Sequence, residues 1–220
     1  QYEIPESDVS FAKQIVTNKL ASQGRALNKI REKEDTHKET IEKLRRLYEQ
    51  VQHTEDTSTL LWIEWNAAKV YFWSYFKELN WLRREQRTKI DINNLLLDIG
   101  YTFLFHFIET LLTMFWFDTY KWVYHREFYA RKSLVCDIQE PFRCIIDETL
   151  RKNFNLWKIQ EKDFSFKNGA YTLKKDATRK YSALFCEAIL EKKREIYDYV
   201  YEYYRFVLDR ERPFPNYIHK

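Results

Sequence analysis

The chain is 220 residues long, with 37 Lys and Arg against 33 Asp and Glu and a formal net charge of only +4, a balance that permits nucleic-acid binding through a local patch without demanding it. Three glycines and four prolines leave few breakers among many Leu, Glu, Lys and Arg, which favours a mostly helical protein. Cys136, Cys144 and Cys186 show no CxxC spacing, which argues against a zinc knuckle or disulfide framework and for a reducing compartment.

Residues 8–50 read as one or two helices. Phe11, Ile15, Val16, Leu20 and Leu27 fall near helical spacing, with Gly24 as an interruption. The charged stretch that follows has a narrow stripe of Ile41, Leu44, Leu47 and Val51, the pattern of a solvated helix laid against a body. "HTEDTST" supplies capping residues and places a boundary near 53–59. "LLWIEWNAAKVYFWSYFKELN" begins a dense aromatic helix, "RREQRTKIDINN" is a basic connector, and residues 94–117 form an apolar helix. Its run "YTFLFHFIETLLTMFWF" is broken by His106 and Glu109 and is short for a bilayer, so it reads as a core helix and no membrane partner is expected.

The segment "WVYHREFYARKSLVCDIQEPFR" leads into a further helix through about residue 153, which Pro141 should kink. In "DFSFKNGAYTLKK", Phe164, Phe166, Tyr171 and Leu173 alternate around Asn168-Gly169, a hairpin signal. One long helix over about 176–208 then ends in the proline-marked tail "RPFPNYIHK". The expected fold class is all-α with one small β-hairpin near 164–173.

Few residues offer chemistry. Glu64 lies among apolar and aromatic neighbours, where an unpaired carboxylate costs several kcal/mol. It must reach solvent, where Lys69 is a natural partner, pair with another base, or hold a metal. His125 is either a packing residue or a neutral metal donor. Asp137 and Glu140, three apart, share one face of a helix or form a capping box with Asp137 at the N-cap; a start at Ser133 instead puts both carboxylates inside the helix. Glu64, His125 and Asp137 or Glu140 together make an oxygen-rich set with one nitrogen, suited to magnesium or manganese rather than zinc or an iron–sulfur cluster. Arg126, Arg131, Lys132 and Arg143 lie beside it in sequence and are candidates for DNA backbone phosphates. Trp65, Tyr71 and Tyr129 either pack in the core or stack on unpaired bases. A Gly-rich phosphate loop and a nucleophile elbow are both missing, so nucleotide hydrolysis and serine chemistry have no support.

Three segments carry a resemblance: "IEWNAAKVYF", "DINNLLLDIGYTFL" and "YHREFYARKSLVCDIQEPFR", with a weaker echo in "AKQIVTNKLASQ". In these segments, their order and their separations, the chain resembles the CRISPR-associated spacer integrases, the Cas-one family, over nearly its whole length. The resemblance implies that Glu64, His125 and Glu140 are metal ligands for Mg2+ or Mn2+ and that Asp137 is an accompanying acid. Trp65 stands where the family usually has a small residue, and "TKID" lacks the paired prolines often found there.

The resemblance further implies a metal-dependent DNA integrase of CRISPR adaptation. It would be a cytoplasmic prokaryotic homodimer working with a Cas-two partner. The reaction would insert a double-stranded DNA fragment into CRISPR repeat DNA through attack by a fragment's 3′-hydroxyl. A nuclease with the same site, and a non-enzymatic helical DNA-binding assembly module, are the rival readings. The expected organisation is one helical catalytic domain over 1–220, with leading helices at 1–52 and a catalytic body at 57–220. The family's N-terminal β domain would precede Gln1.

Overall fold

The computed structural model describes residues 9–31, 34–79, 81, 83–85, 87–121 and 132–219. Among them α1 (Val9–Asn28), α2 (Asp35–His53), α3 (Thr57–Tyr75) and α4 (Ile92–Met114) come first, followed by α5 (Ser133–Gln139) and α6 (Arg143–Asn155). The antiparallel hairpin β1 (Phe164–Lys167) and β2 (Ala170–Leu173) precedes α7 (Lys175–Glu191) and α8 (Lys193–Leu208). The fold is all-α with one hairpin, as composition and pattern predict.

Local chemistry sets the ends of these elements. Asp56 caps α3 by accepting the Thr59 amide at 2.8 Å, and Asp91 caps α4 by accepting the Asn94 amide at 2.7 Å. Asn94 is fully buried and pins the basic connector. Its Oδ1 accepts from Arg84 and from the Glu85 amide, each at 2.9 Å, while its Nδ2 donates to the Arg83 carbonyl at 3.0 Å. Asn168 (φ 52°) and Gly169 (φ 77°) both take the left-handed conformation, the geometry of a tight two-residue hairpin turn.

Three expectations change in detail. Gly24 does not interrupt α1; it lies inside the helix on an open face, where an added Cβ would meet nothing within 4 Å. The single terminal helix is two, because Lys192 leaves helical geometry at φ −102° and ψ 7°. Pro141 produces more than a bend: residues Glu140–Phe142 form a 3₁₀ turn between α5 and α6, since proline lacks the amide that an α-helix would use there.

The core is built on α1, α3, α4 and α6. α1 packs against α2, α3, α6 and the 140–142 turn, so it lies between the aromatic helix and the acidic turn. α4 is long and apolar enough to cross a membrane by length and composition, and half of that run is buried here against neighbouring helices. Gly100 permits its closest approach: an added Cβ would stand 2.4 Å from Ile146 Cγ2 and 2.8 Å from Phe185 Cε1.

The C-terminal tail returns to α1. The Pro215 carbonyl accepts from Asn18 Nδ2 at 3.0 Å, and the Tyr217 ring packs tilted by 39° on Phe142 with centroids 4.2 Å apart. The His219 amide donates to Ser22 Oγ at 3.1 Å, while its Nε2 lies 2.5 Å from Glu148 Oε2. The tail thus joins α1, the 3₁₀ turn and α6 in one packed unit.

Candidate active site

Glu64 does not sit on the wet edge of α3, and Lys69 is not its partner. Lys69 lies over the Trp65 ring at 5.2 Å, whereas Glu64 is buried and its Oε1 receives the Lys19 ammonium of α1 at 2.5 Å. The same ammonium lies 2.6 Å from Glu140 Oε2. Two carboxylates separated by 76 positions, in "IEWN" and "IQEP", therefore face one cation. Glu140 Oε1 is 2.8 Å from an Arg143 terminal nitrogen, so its two oxygens are held by two different cations.

The backbone explains this placement. α5 begins at Ser133 with Lys132 at its N-cap, so Asp137 lies inside the helix and is no capping residue. The 3₁₀ turn at Pro141 tightens the backbone at Glu140, which emerges facing α1. Asp137 is fully buried and faces α8, where burial and the Asp137 charge both push the Tyr203 hydroxyl up.

Electrostatics favour the paired state. Burial pulls the Lys19 ammonium down, but the charges of Glu140 and Glu64 outweigh it and hold its pKa above the ordinary lysine value. The Arg143 guanidinium, buried against Glu140 and the Tyr101 ring, is likewise held up. Behind them a cavity of about 10 Å³ is lined by Lys19, Gln23, Phe72, Glu140, Arg143, Cys144 and Asp147. Asp147 accepts the Tyr101 hydroxyl at 2.5 Å and the Tyr71 hydroxyl at 3.1 Å. The Arg143 guanidinium lies 4.9 Å from the Tyr101 ring centroid, which braces its position beside Glu140.

The remaining sequence candidates are less central. His125, Arg126, Arg131 and Tyr129 lie outside the described residues. Among the described residues no three His, Cys, Asp or Glu side chains gather into a metal-holding group; the acids that meet are Glu64 and Glu140. Lys132 pairs with Glu109 of α4. Tyr71 is no stacking platform, because it is fully buried and its hydroxyl is given to Asp147. Trp65 is 61% exposed. Sequence reasoning passed over Lys19, Tyr101 and Asp147. Lys19 had a visible signal: it falls four residues after Ile15 and seven before Ala26, a charge on the inward stripe of α1.

The arrangement fits a hard divalent cation. Two carboxylates already converge on a positive charge, and Gln23, which lines the adjoining cavity, has a buried Oε1 with no hydrogen-bond partner among the described residues. These are oxygen donors, the type that magnesium and manganese prefer.

The sequence pattern of the family described as "CRISPR associated protein Cas1" matches residues 1–187. The chain belongs to the Cas1 family. A Cas1 relative from Thermodesulfovibrio yellowstonii, named a CRISPR-associated endonuclease, is 29% identical over 200 residues, covering 86% of this chain and 63% of that protein. A Rhodospirillum rubrum protein, named a CRISPR-associated exonuclease Cas4/endonuclease Cas1 fusion, is 30% identical over 183 residues, covering 77% of this chain and 31% of that one. The chain thus spans less than two thirds of these Cas1 relatives. Among solved structures, a Cas6-RT-Cas1–Cas2 complex superposes with TM-score 0.87 at 22% identity, over 94% of this chain and 24% of that one. A casposase bound to integration product gives TM-score 0.78 at 19% identity, over 94% of this chain and 62% of that one. At these identities the likeness concerns the fold, which is that of the Cas1 helical region.

Proposed function

We propose that this Cas1 chain is the helical catalytic part of a metal-dependent DNA integrase of CRISPR adaptation, joining a fragment's 3′-hydroxyl to a phosphodiester of repeat DNA. The observation that carries this reading is the convergence of Glu64 and Glu140 on one cation position. Glu64 and Glu140 would hold Mg2+ or Mn2+ with His125 as the nitrogen donor, and Asp137 would fix the acidic helix that presents Glu140. When bound, such an ion supplies Lewis acidity toward a phosphodiester and lowers the cost of charge at a transferring phosphorus.

The chain's own residues do the rest. Arg143 holds Glu140 Oε1 and would face a phosphate oxygen at the site. Arg126, Arg131 and Lys132 would neutralise backbone phosphates farther along the DNA. Residues 1–220 would act as one helical domain, with α1 contributing to the site. The likeness to a Cas6-RT-Cas1–Cas2 complex supports a Cas2 partner, and the likeness to a casposase bound to integration product supports action on DNA. A homodimer that takes double-stranded fragments in a prokaryotic cytoplasm completes the proposed reading.

The test is strand transfer of a labelled fragment into repeat DNA with Mn2+ present. Glu64→Ala and Glu140→Ala should each abolish joining while the fold survives, and unchanged joining in either would sink the metal mechanism. The names of the curated relatives favour a second reading, endonuclease activity from the same site. Cutting without joining would select it.

A further inference from the structure

Resting on the reading of Glu64 and Glu140 as metal ligands, we propose that Lys19 is a tethered counter-ion that occupies the cation position between them and is displaced when the divalent ion binds. The geometry is specific. The ammonium stands 2.5 Å from Glu64 Oε1 and 2.6 Å from Glu140 Oε2, so the two carboxylates need close by only about half an ångström each to reach magnesium–oxygen bond lengths on an ion in its place. It arrives from a third element, α1, on a side chain only 9% exposed.

Charge makes the two occupants exclusive. Among the described residues, the cations paired with Glu64 and Glu140 are Lys19 and Arg143. A divalent ion between the two carboxylates would stand within a few ångströms of the Lys19 ammonium in a buried space, where like charges repel strongly. If Lys19 leaves, that repulsion goes with it and both carboxylates are free to face the ion. The lysine stem has the rotatable bonds to swing its ammonium away without moving α1. While it is in place, Lys19 keeps two buried acids from repelling each other, so the carboxylates stay converged before metal arrives. It therefore acts as a positioning residue that competes with the metal.

The test measures metal binding to the purified protein by calorimetric titration with Mn2+ alone, without DNA. Lys19→Met removes the charge and keeps the length of the stem. It should bind Mn2+ about tenfold more tightly or better, the scale on which a neighbouring charge shifts a buried equilibrium. Its melting temperature should fall without metal and recover more than that of the wild type when Mn2+ is added. Lys19→Arg retains the competitor and should show no gain in affinity.

Should Lys19→Met not fold, the wild type suffices: the 13Cε signal of Lys19, assigned by its loss in Lys19→Arg, should shift as Mg2+ is titrated in. A wild type that binds Mn2+ while Lys19→Met binds equally or more weakly overturns the proposal, as does a Lys19 signal that stays fixed through saturation. A wild type with no saturable Mn2+ binding overturns the metal reading itself, and this inference with it.

Discussion

The Tyr101 hydroxyl of α4 donates to Asp147 of α6 across 2.5 Å, while the ring of the same tyrosine supports Arg143 at 4.9 Å. One side chain thereby serves the buried acid with its polar end and the site with its face.

These two services separate by substitution. Tyr101→Phe keeps the ring but leaves a buried carboxylate oxygen without its donor, which should cost about 1–3 kcal/mol in urea unfolding and spare strand transfer. Tyr101→Leu also removes the surface under Arg143 and should lose joining as well. An equal loss of joining in both variants would make the hydroxyl the group that positions the site.

The adjacent acids Asp147 and Glu148 should respond to pH with opposite signs. Burial lifts Asp147 from 3.8 to about 6. Between those values the folded form holds a proton that the unfolded chain has released, so stability from this group falls as pH rises through the window. For Glu148, burial acts upward but hydrogen bonds from His219 and Lys29 prevail and hold it at about 2, against an ordinary 4.5. Its contribution is present above the ordinary value and lost as pH falls toward 2. Melting temperature against pH checks both: Asp147→Asn should flatten the decline between pH 3.8 and about 6, and Glu148→Gln should weaken the acid-side loss.

Gly100→Ala should be destabilising although alanine is the better helix former. Its methyl would enter the space of Ile146 and Phe185, both fully buried, and overpacking of this kind costs about 1–3 kcal/mol. A melting temperature at or above that of the wild type would show that α4 can back away from α6 and α7.

Trp65 presents its ring to solvent one residue from Glu64, with Lys69 over its face. Trp65→Ala should weaken binding of fragments with single-stranded 3′ ends by about 1–3 kcal/mol, the usual scale of base–aromatic stacking, with blunt duplex affected less. Fluorescence anisotropy on the two substrates measures the difference, and equal losses on both would assign Trp65 to general surface contact.

Much of the fold was legible because it depends on local chemistry. Asp56, Pro141 and the Asn168-Gly169 pair each act on the backbone within a few residues, so their effects could be read in place. The break at Lys192 was not, since no proline or glycine announces it and the separation of α7 from α8 comes from packing. Glu64 was recognisable as an acid in need of a partner: a carboxylate amid apolar neighbours must be compensated wherever the chain goes. Glu140 was legible only through its spacing from Asp137. Who compensates them was a tertiary matter. Lys19 is 45 residues before Glu64, and only the seating of α1 between α3 and the 3₁₀ turn brings its ammonium to both carboxylates. Asp147 and Tyr101 likewise meet only because Gly100 lets α4 close on α6. The residue types thus determined what chemistry was required, and the long-range packing of α1 and α4 decided which groups supply it, because Coulomb and hydrogen-bond partners are chosen by distance in space rather than along the chain.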